Sequence, residues 1–268
     1  MGHRDAIPLY KTRHVAFVET ILESDKRDRA IASHLSIGTG ARGGTIIHTH
    51  SSWFTYNASG DLYYKIPKSE PCRQNGQKGE PCCECDGTFE PKTPAAEGRR
   101  ILISNNWINP VTGEQEYFGL RDAVEDYFAI SNDRSPEDVS HGNKMIDGDG
   151  ISLSSLNTWI RDIAADSAMS GELREERLRE EIDIEYVDDD DNDRKLKQIK
   201  ERYDSDGNKI PDLTSHDLRA TFCTQLMRND ILRSKAIKKT GHKHEETLST
   251  YVSFAEGEID AAEEDLMY

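Results

Sequence analysis

The chain has 268 residues, 31% of them charged, and its formal net charge is −16 at pH 7. This length accommodates one large or two small domains, and the acidic excess excludes a uniformly basic surface. The sequence contains no apolar run of about 18 residues and no signal-peptide pattern, so it does not indicate a membrane-spanning or secreted protein and we expect a cytoplasmic one.

Two helices are predicted near the amino terminus, at residues 10–24 and 26–38. The second is an apolar helical run that stops at Gly38 and Gly40, just before Arg42. Glycines at this place are typical of a helix end.

Strands are predicted next, because β-branched and aromatic residues are bounded by turn residues. Their ranges are 46–56, 61–66 and 99–104. Lys92 lies on the approach to a tight turn before the strand that follows Arg100. Lys65 and Lys68 lie at the end of the preceding strand. A lysine on an exposed hairpin is ordinarily a solvated charge, so position alone gives none of the three a role.

Four of the five cysteines fall within fourteen residues of an insertion at 72–85. In a cytosolic protein such a cluster favours metal binding over disulfides. Cys82 and Cys85 have the spacing of a zinc knuckle, Cys72 offers a third thiolate, and Cys83 or a nearby histidine offers the fourth ligand. The alternative is a set of reduced thiols in a flexible loop.

Two more helices, at 117–130 and 153–168, precede a second insertion at 172–206. This insertion holds 15 acidic and 8 basic side chains. Such a segment is predicted to be disordered or solvated.

The last quarter carries the residues with the clearest chemistry, on helices predicted at 215–229, 232–239 and 244–253. His216 and Arg219 are three residues apart, so both side chains reach one phosphate from the same helix face. His242 follows Gly241, and Tyr251 comes nine residues later. A tyrosine that attacks phosphorus must lose its proton and needs guanidinium groups to neutralise charge on the phosphate oxygens.

This arrangement resembles the tyrosine recombinase (phage integrase) family, whose motif has His-x-x-Arg, then Gly-His, then Tyr. Residues 214–222, TSHDLRATF, are similar to the HxLRxTF stretch of that family, and residues 240–252, TGHKHEETLSTYV, to its GHxxxxxTxxxY stretch. Several such residues in the same order and spacing are more specific than any one of them.

The resemblance implies an α+β fold, mostly helical with a small antiparallel sheet. It also implies an upstream arginine and a lysine, which match Arg42 and Lys92. Family members commonly carry an acidic residue three positions after that arginine, whereas this chain has Thr45. We therefore expect weaker carboxylate support for Arg42.

The implied catalytic set is Arg42, Lys92, His216, Arg219, His242 and Tyr251. In this interpretation Arg42 and Arg219 hold the scissile phosphate, Tyr251 becomes joined to the 3′ phosphate, and Lys92 protonates the departing 5′ oxygen. Lys65 and Lys68 are the alternatives to Lys92 for that role. His216 assists proton removal or holds the phosphate, and His242 hydrogen-bonds a phosphate oxygen. Catalysis is expected to need no cofactor, with zinc at most structural. The expected partners are double-stranded DNA and other protomers in a synaptic complex.

Two alternatives share part of this evidence: a type IB topoisomerase, and a non-catalytic zinc-containing DNA-binding relative. The spacing between Gly-His and Tyr favours the recombinase over the topoisomerase. We expect residues 1–268 to form one catalytic domain that contains both insertions. Because only 41 residues precede Arg42, we expect no separate core-binding domain on the amino-terminal side.

The negative charge is concentrated away from the motif. Residues 255–268 hold 6 acidic and no basic side chains, whereas residues 209–254 hold 8 basic and 5 acidic ones. High acidic usage also fits a protein from a high-salt cytoplasm, of haloarchaeal or archaeal-viral origin. The acidic helix after Tyr251 carries a short apolar stripe, which predicts docking either on a neighbouring protomer or on its own chain.

Overall fold

The computed structural model describes residues 6, 8–9, 11–72, 85–131, 145–148, 150–166, 213–229, 231–242 and 248. Seven α-helices lie in these ranges: α1 (Lys11–Glu23), α2 (Arg27–Thr39), α3 (Gly43–Ile47), α4 (Leu120–Phe128), α5 (Leu153–Asp166), α6 (Ser215–Arg228) and α7 (Arg233–Thr240). The described strands are β1 (Phe54–Tyr56), β2 (Leu62–Lys65), β3 (Glu70–Pro71), β4 (Thr88–Phe89), β5 (Arg100–Ile103), β6 (Asn106–Ile108) and β7 (Gln115–Tyr117). No described helix is both long enough and apolar enough to cross a bilayer.

Helix α2 is the centre of the core. Residues 31–37 are all buried, although an amphipathic surface helix would bury one stripe. Helices α1, α4, α5 and α6 pack around it. Helix α5 contributes Leu156, Ile160 and Ile163, whose spacing places all three on one face. The end of α2 lies inside the core, since Thr39 and Ala41 are fully buried.

A three-stranded antiparallel sheet covers one side, in the order β1-β2-β5. Strand β5 alternates in burial, with Ile101 and Ile103 facing the core and Arg100 and Leu102 exposed. Strands β3 and β4 form a separate two-stranded ladder, as do β6 and β7. The connection that carries Lys92 therefore runs from β4 of one small ladder to β5 of the three-stranded sheet.

Most predicted elements are present with shifted ends, but the strand predicted at 46–56 is largely wrong. Its first part is helix α3, Ser51–Trp53 form a 3₁₀ turn, and only Phe54–Tyr56 are extended. The Arg42 carbonyl accepts hydrogen bonds from the backbone N–H groups of Thr45 and Ile46, which starts the helix. Burial of these β-branched side chains overrides their preference for strand.

Other predictions fall at ends or outside the described ranges. The helix predicted at 117–130 begins later, because β7 ends at Tyr117 and α4 starts at Leu120. The acidic insertion at 172–206 and nearly all of the helix predicted at 244–253 lie outside the described residues.

A side chain at Gly40 is predicted to destabilise the protein. Its φ is +57°, and an added Cβ would lie 2.3 Å from Cδ1 of Phe222. Gly40→Ala therefore combines left-handed strain with overpacking and should lower the free energy of unfolding by about 2–4 kcal/mol in urea titrations.

Gly44→Ala is the matched control. An added Cβ there meets nothing within 4 Å, and the residue lies inside helix α3. This change should be neutral or stabilising by up to about 1 kcal/mol. Equal destabilisation by the two substitutions would contradict the packing argument.

Candidate active site

A cleft of about 680 Å³ lies where three segments meet: the start of α3, the connection from β4 to β5, and the start of α6. Its wall includes three residues of the predicted catalytic set. They are Arg42, Lys92 and His216. These residues are far apart in the sequence, and the fold brings them to one surface.

Arg42 is positioned by the end of α2. Gly40 ends that helix in the left-handed conformation, and its N–H donates to the Ser36 carbonyl. The chain then turns, so that Arg42 becomes the residue before α3. Nη1 of Arg42 donates to Oγ1 of Thr93 at 3.2 Å, and that hydroxyl donates to the Gly241 carbonyl at 3.2 Å. One threonine thus links Arg42, the segment that carries Lys92, and the Gly-His turn.

Helix α6 presents His216 and Arg219 from a firmly capped first turn. The Thr214 N–H donates to Oδ2 of Asp217 at 2.8 Å, within a complete capping box. The Ser215 N–H donates to Oδ1 of Asn157 on α5 at 2.9 Å. His216 is exposed to the cleft, whereas Arg219 is buried.

Arg219 joins two helix ends. Its Nη1 donates to the Gly40 carbonyl at the end of α2. Its Nη2 donates to the Thr240 carbonyl at the end of α7, at 2.8 Å, and lies 3.1 Å from Nε2 of His242. Charge-assisted bonds to buried carbonyls hold the guanidinium in one orientation.

His242 is a neutral acceptor in this arrangement. The Thr240 hydroxyl donates to the Ala236 carbonyl at 2.8 Å, so its oxygen accepts from Nδ1–H of His242 at 2.7 Å. Nε2 is then unprotonated and accepts from Arg219. Burial, followed by the charges of Arg219 and Arg42, lowers the pKa of His242 to about 3. In this tautomer both ring nitrogens of His242 are engaged, one by Thr240 and the other by Arg219.

Arg99 is a buried arginine close to the predicted site residues, and the sequence pattern did not single it out. It is 6% exposed, and burial followed by the charge of Arg219 lowers its pKa to about 9. Its Nε and Nη2 have no hydrogen-bond partner among the described residues. Burial alternates along β5, and Arg100 is exposed. The side chain of the preceding residue, Arg99, is therefore expected to face inward.

Arg42 lines the cleft, and the guanidinium groups of Arg99 and Arg219 are buried close enough to it for the three charges to interact. The charges of Arg219 and Arg42 lower the pKa of Arg99, and the charges of all three arginines lower the pKa of His242. Like charges held this close in a partly buried place favour binding of an anion with several oxygens.

The remaining candidates lie elsewhere or outside the described residues. Tyr251 is outside them, as are Cys82 and Cys83. Lys65 is exposed at the end of β2, paired with Arg100 across the ladder, and does not line the cleft. Neither does Lys68, which is also exposed. Cys72 and Cys85 come together with His48, with ligand atoms within 4.8 Å of one another.

No protein-family model matches the chain, and no curated protein matches it significantly. Solved structures do. The Tn1549 transposon integrase in complex with transposon right end DNA aligns with a TM-score of 0.54 at 13% identity, over 97% of this chain and 66% of that one. The same integrase in complex with circular intermediate DNA aligns with a TM-score of 0.52 at 13% identity, over 97% and 68% of the two chains.

The XerH site-specific recombinase, in a post-cleavage complex with a palindromic difH substrate, aligns at 12% identity with a TM-score of 0.48. That alignment covers 99% of this chain and 54% of XerH. The chain thus spans between about half and two thirds of the length of these proteins. Its mostly helical fold with small antiparallel sheets is that of the Tn1549 integrase, which confirms the predicted fold class.

His242 is predicted to stay neutral, with the proton on Nδ1, between pH 7 and pH 5, because burial and adjacent cations hold its pKa near 3. A depressed pKa keeps the neutral form as pH falls, until pH approaches that value. Histidine-selective ¹⁵N NMR should show this, with His242→Gln used to assign the signals. A protonated Nε2 at pH 7, or titration near the ordinary histidine pKa of about 6.5, would contradict the tautomer.

Proposed function

We propose that the chain is a tyrosine-type site-specific DNA recombinase, which breaks and rejoins DNA through a covalent 3′-phosphotyrosine. The observation that carries the proposal is the convergence of Arg42, Arg219 and His242 beside a cleft lined by Lys92 and His216. The fold supports it, because the Tn1549 integrase of similar fold is described in complex with DNA.

In this proposal the arginines bind the scissile phosphate. Arg42 lines the cleft, so it contacts the non-bridging oxygens directly. Arg219 and Arg99 are buried and cationic, and they stabilise the negative charge that grows on those oxygens in the transition state. Because their positions are set before DNA binds, little reorganisation is needed during the reaction.

The chemical step is a displacement at phosphorus. The phenol oxygen of Tyr251 forms a bond to phosphorus as the bond to the 5′ oxygen breaks. His216, exposed at the cleft, accepts the phenol proton, and Lys92 donates a proton to the departing 5′ oxygen. The reverse displacement by a 5′ hydroxyl restores the phosphodiester. The bond energy is conserved in the phosphotyrosine, so the step requires no cofactor.

His242 acts as a positioning residue for Arg219. Its Nε2 accepts from the guanidinium while its Nδ1–H is held by Thr240. A neutral imidazole adds no charge to a region that already holds three cations. It therefore orients Arg219 without repelling it.

The proposed partners are double-stranded DNA and further protomers of the same chain in a synaptic complex. Because the proposed substrate is the DNA of the cell, we infer that the protein acts in the cytoplasm. The buried arginines contribute short-range contacts, which salt screens less than exposed ones. We therefore infer that binding tolerates high salt, consistent with the acidic composition.

Tyr251→Phe is predicted to abolish covalent protein-DNA adducts on a nicked suicide substrate, because only the phenol oxygen can form the bond to phosphorus. Binding of the same DNA should be unchanged in a mobility-shift assay. Tyr117→Phe is the matched control, since Tyr117 is 56% exposed and lies on β7 away from the cleft. Adducts from Tyr251→Phe at the wild-type level would overturn the proposal.

A strand-exchange assay then separates a recombinase from a topoisomerase. The wild-type protein should join strands from two different duplexes. Relaxation of supercoiled DNA with a covalent adduct but without exchanged products would support the topoisomerase instead, while leaving the role of Tyr251 intact.

Arg99→Leu is predicted to reduce DNA cleavage without lowering the free energy of unfolding. Removing a buried cation whose Nε and Nη2 lack described partners should leave the free energy of unfolding unchanged or higher. Adduct formation should fall by about 10²-fold or more, because a donor to the transition state is lost. Arg121→Leu, on α4, is the control and should retain wild-type cleavage. Full activity in Arg99→Leu would remove Arg99 from the site.

A further inference from the structure

Three side chains of the kinds that bind metal ions meet at the cleft. They are His48 at the end of α3, Cys72 just after β3, and Cys85 shortly before β4. Their ligand atoms all lie within 4.8 Å of one another, and Nε2 of His48 is 3.3 Å from Sγ of Cys85. The sequence pointed to the cysteines, but His48 lies 24 residues before Cys72 and was not identified as their partner.

His48 is oriented as a metal ligand would be. Its Nδ1 is 2.6 Å from the Gly44 carbonyl, which can only accept, so Nδ1 carries the proton. Nε2 is then the unprotonated nitrogen, and it faces the sulfur of Cys85. The ring is buried and packs on Phe89 at 5.1 Å between centroids. Donation of the second nitrogen to a backbone carbonyl is the usual support for a metal-bound imidazole.

The β3–β4 ladder brings together the two chain segments that carry Cys72 and Cys85. Cys72 N–H donates to the Gly87 carbonyl at 2.9 Å, so the residues flanking the ladder stay paired. Asp86 and Gly87 have positive φ values of 48° and 83°, which fold the chain back directly after Cys85. Nε1 of Trp53 donates to Oε1 of Glu70 at 2.6 Å, which anchors the ladder to the core.

We propose that His48, Cys72 and Cys85 bind a zinc ion. Bonds of about 2.0–2.3 Å in a tetrahedron separate ligand atoms by about 3.3–3.8 Å, so a small closure of the observed group suffices. Two thiolates neutralise the ion, and soft sulfur ligands favour zinc over magnesium or calcium. Cys82 and Cys83 lie outside the described residues, and the proposal rests on the three described ligands.

The zinc has a structural role at this position. A ladder of two residue pairs is marginal by itself, and the ion would join it to α3. Helix α3 begins directly after Arg42, and β4 ends three residues before Lys92. The ion thereby fixes the two sides of the cleft relative to each other. Zinc binding does not depend on the proposed function, because it requires neither DNA nor Tyr251.

The test measures zinc and cobalt binding to the full chain purified without chelator and kept reduced. Elemental analysis should give about one zinc per chain, and Co²⁺ added to the stripped protein should produce thiolate-to-cobalt absorption bands. His48→Ala and Cys72→Ser should each weaken metal affinity by at least about 10-fold in a competitive chelator titration. Cys223→Ala is the matched control, since Cys223 is buried in α6, and it should retain one equivalent.

Three results would overturn the site: less than half an equivalent of zinc with no cobalt bands in the wild type, unchanged affinity in both ligand variants, or a Cys72–Cys85 disulfide under reducing conditions. The wild-type cobalt titration keeps the test decisive if a variant fails to fold. Circular dichroism on each variant distinguishes loss of a ligand from loss of the fold.

Discussion

The candidate site depends on one buried interaction, the seating of the Arg219 guanidinium between the last carbonyl groups of two helices. The Gly40 carbonyl ends α2, and the Thr240 carbonyl ends α7. Carbonyls at a helix end lack partners within the helix and carry the negative end of its dipole. These carbonyl groups stabilise the buried cation by partial charges only. Arg219 therefore attracts an anion more strongly than it would if it were paired with a carboxylate.

The same short pattern builds both helix ends. Thr39 and Gly40 end α2, and Thr240 and Gly241 end α7, with each glycine in the left-handed conformation. Each threonine hydroxyl donates to the carbonyl four residues earlier, so its oxygen accepts from the following segment. At Thr39 that donor is the backbone of Ala41, and at Thr240 it is the imidazole of His242. Two equivalent turns thus deliver an arginine and a histidine to one place.

The parts of the site that could be predicted from sequence are those set by local spacing. His216 and Arg219 share a helix face, and Gly40 marks a helix end, so both follow from a few neighbouring residues. The inward side chain of Arg99 follows from strand alternation, but its nearness to Arg42 and Arg219 comes from packing between distant segments. The nearness of His48 to the cysteines has the same origin. The strand predicted at 46–56 was wrong for the same reason, since burial against the core decides its conformation.

The cation cluster also explains why an acidic protein can hold a site for an anion. Exposed charges interact over roughly 10 Å at 0.1 M salt, whereas the guanidinium groups of Arg99 and Arg219 are buried and act at short range. Burial is the main cause of the lowered pKa of Arg99, and the charges of Arg219 and Arg42 lower it further. That mutual repulsion costs stability in the protein alone and is relieved when an anion enters. In the proposed function, relief of this repulsion contributes to binding of the scissile phosphate.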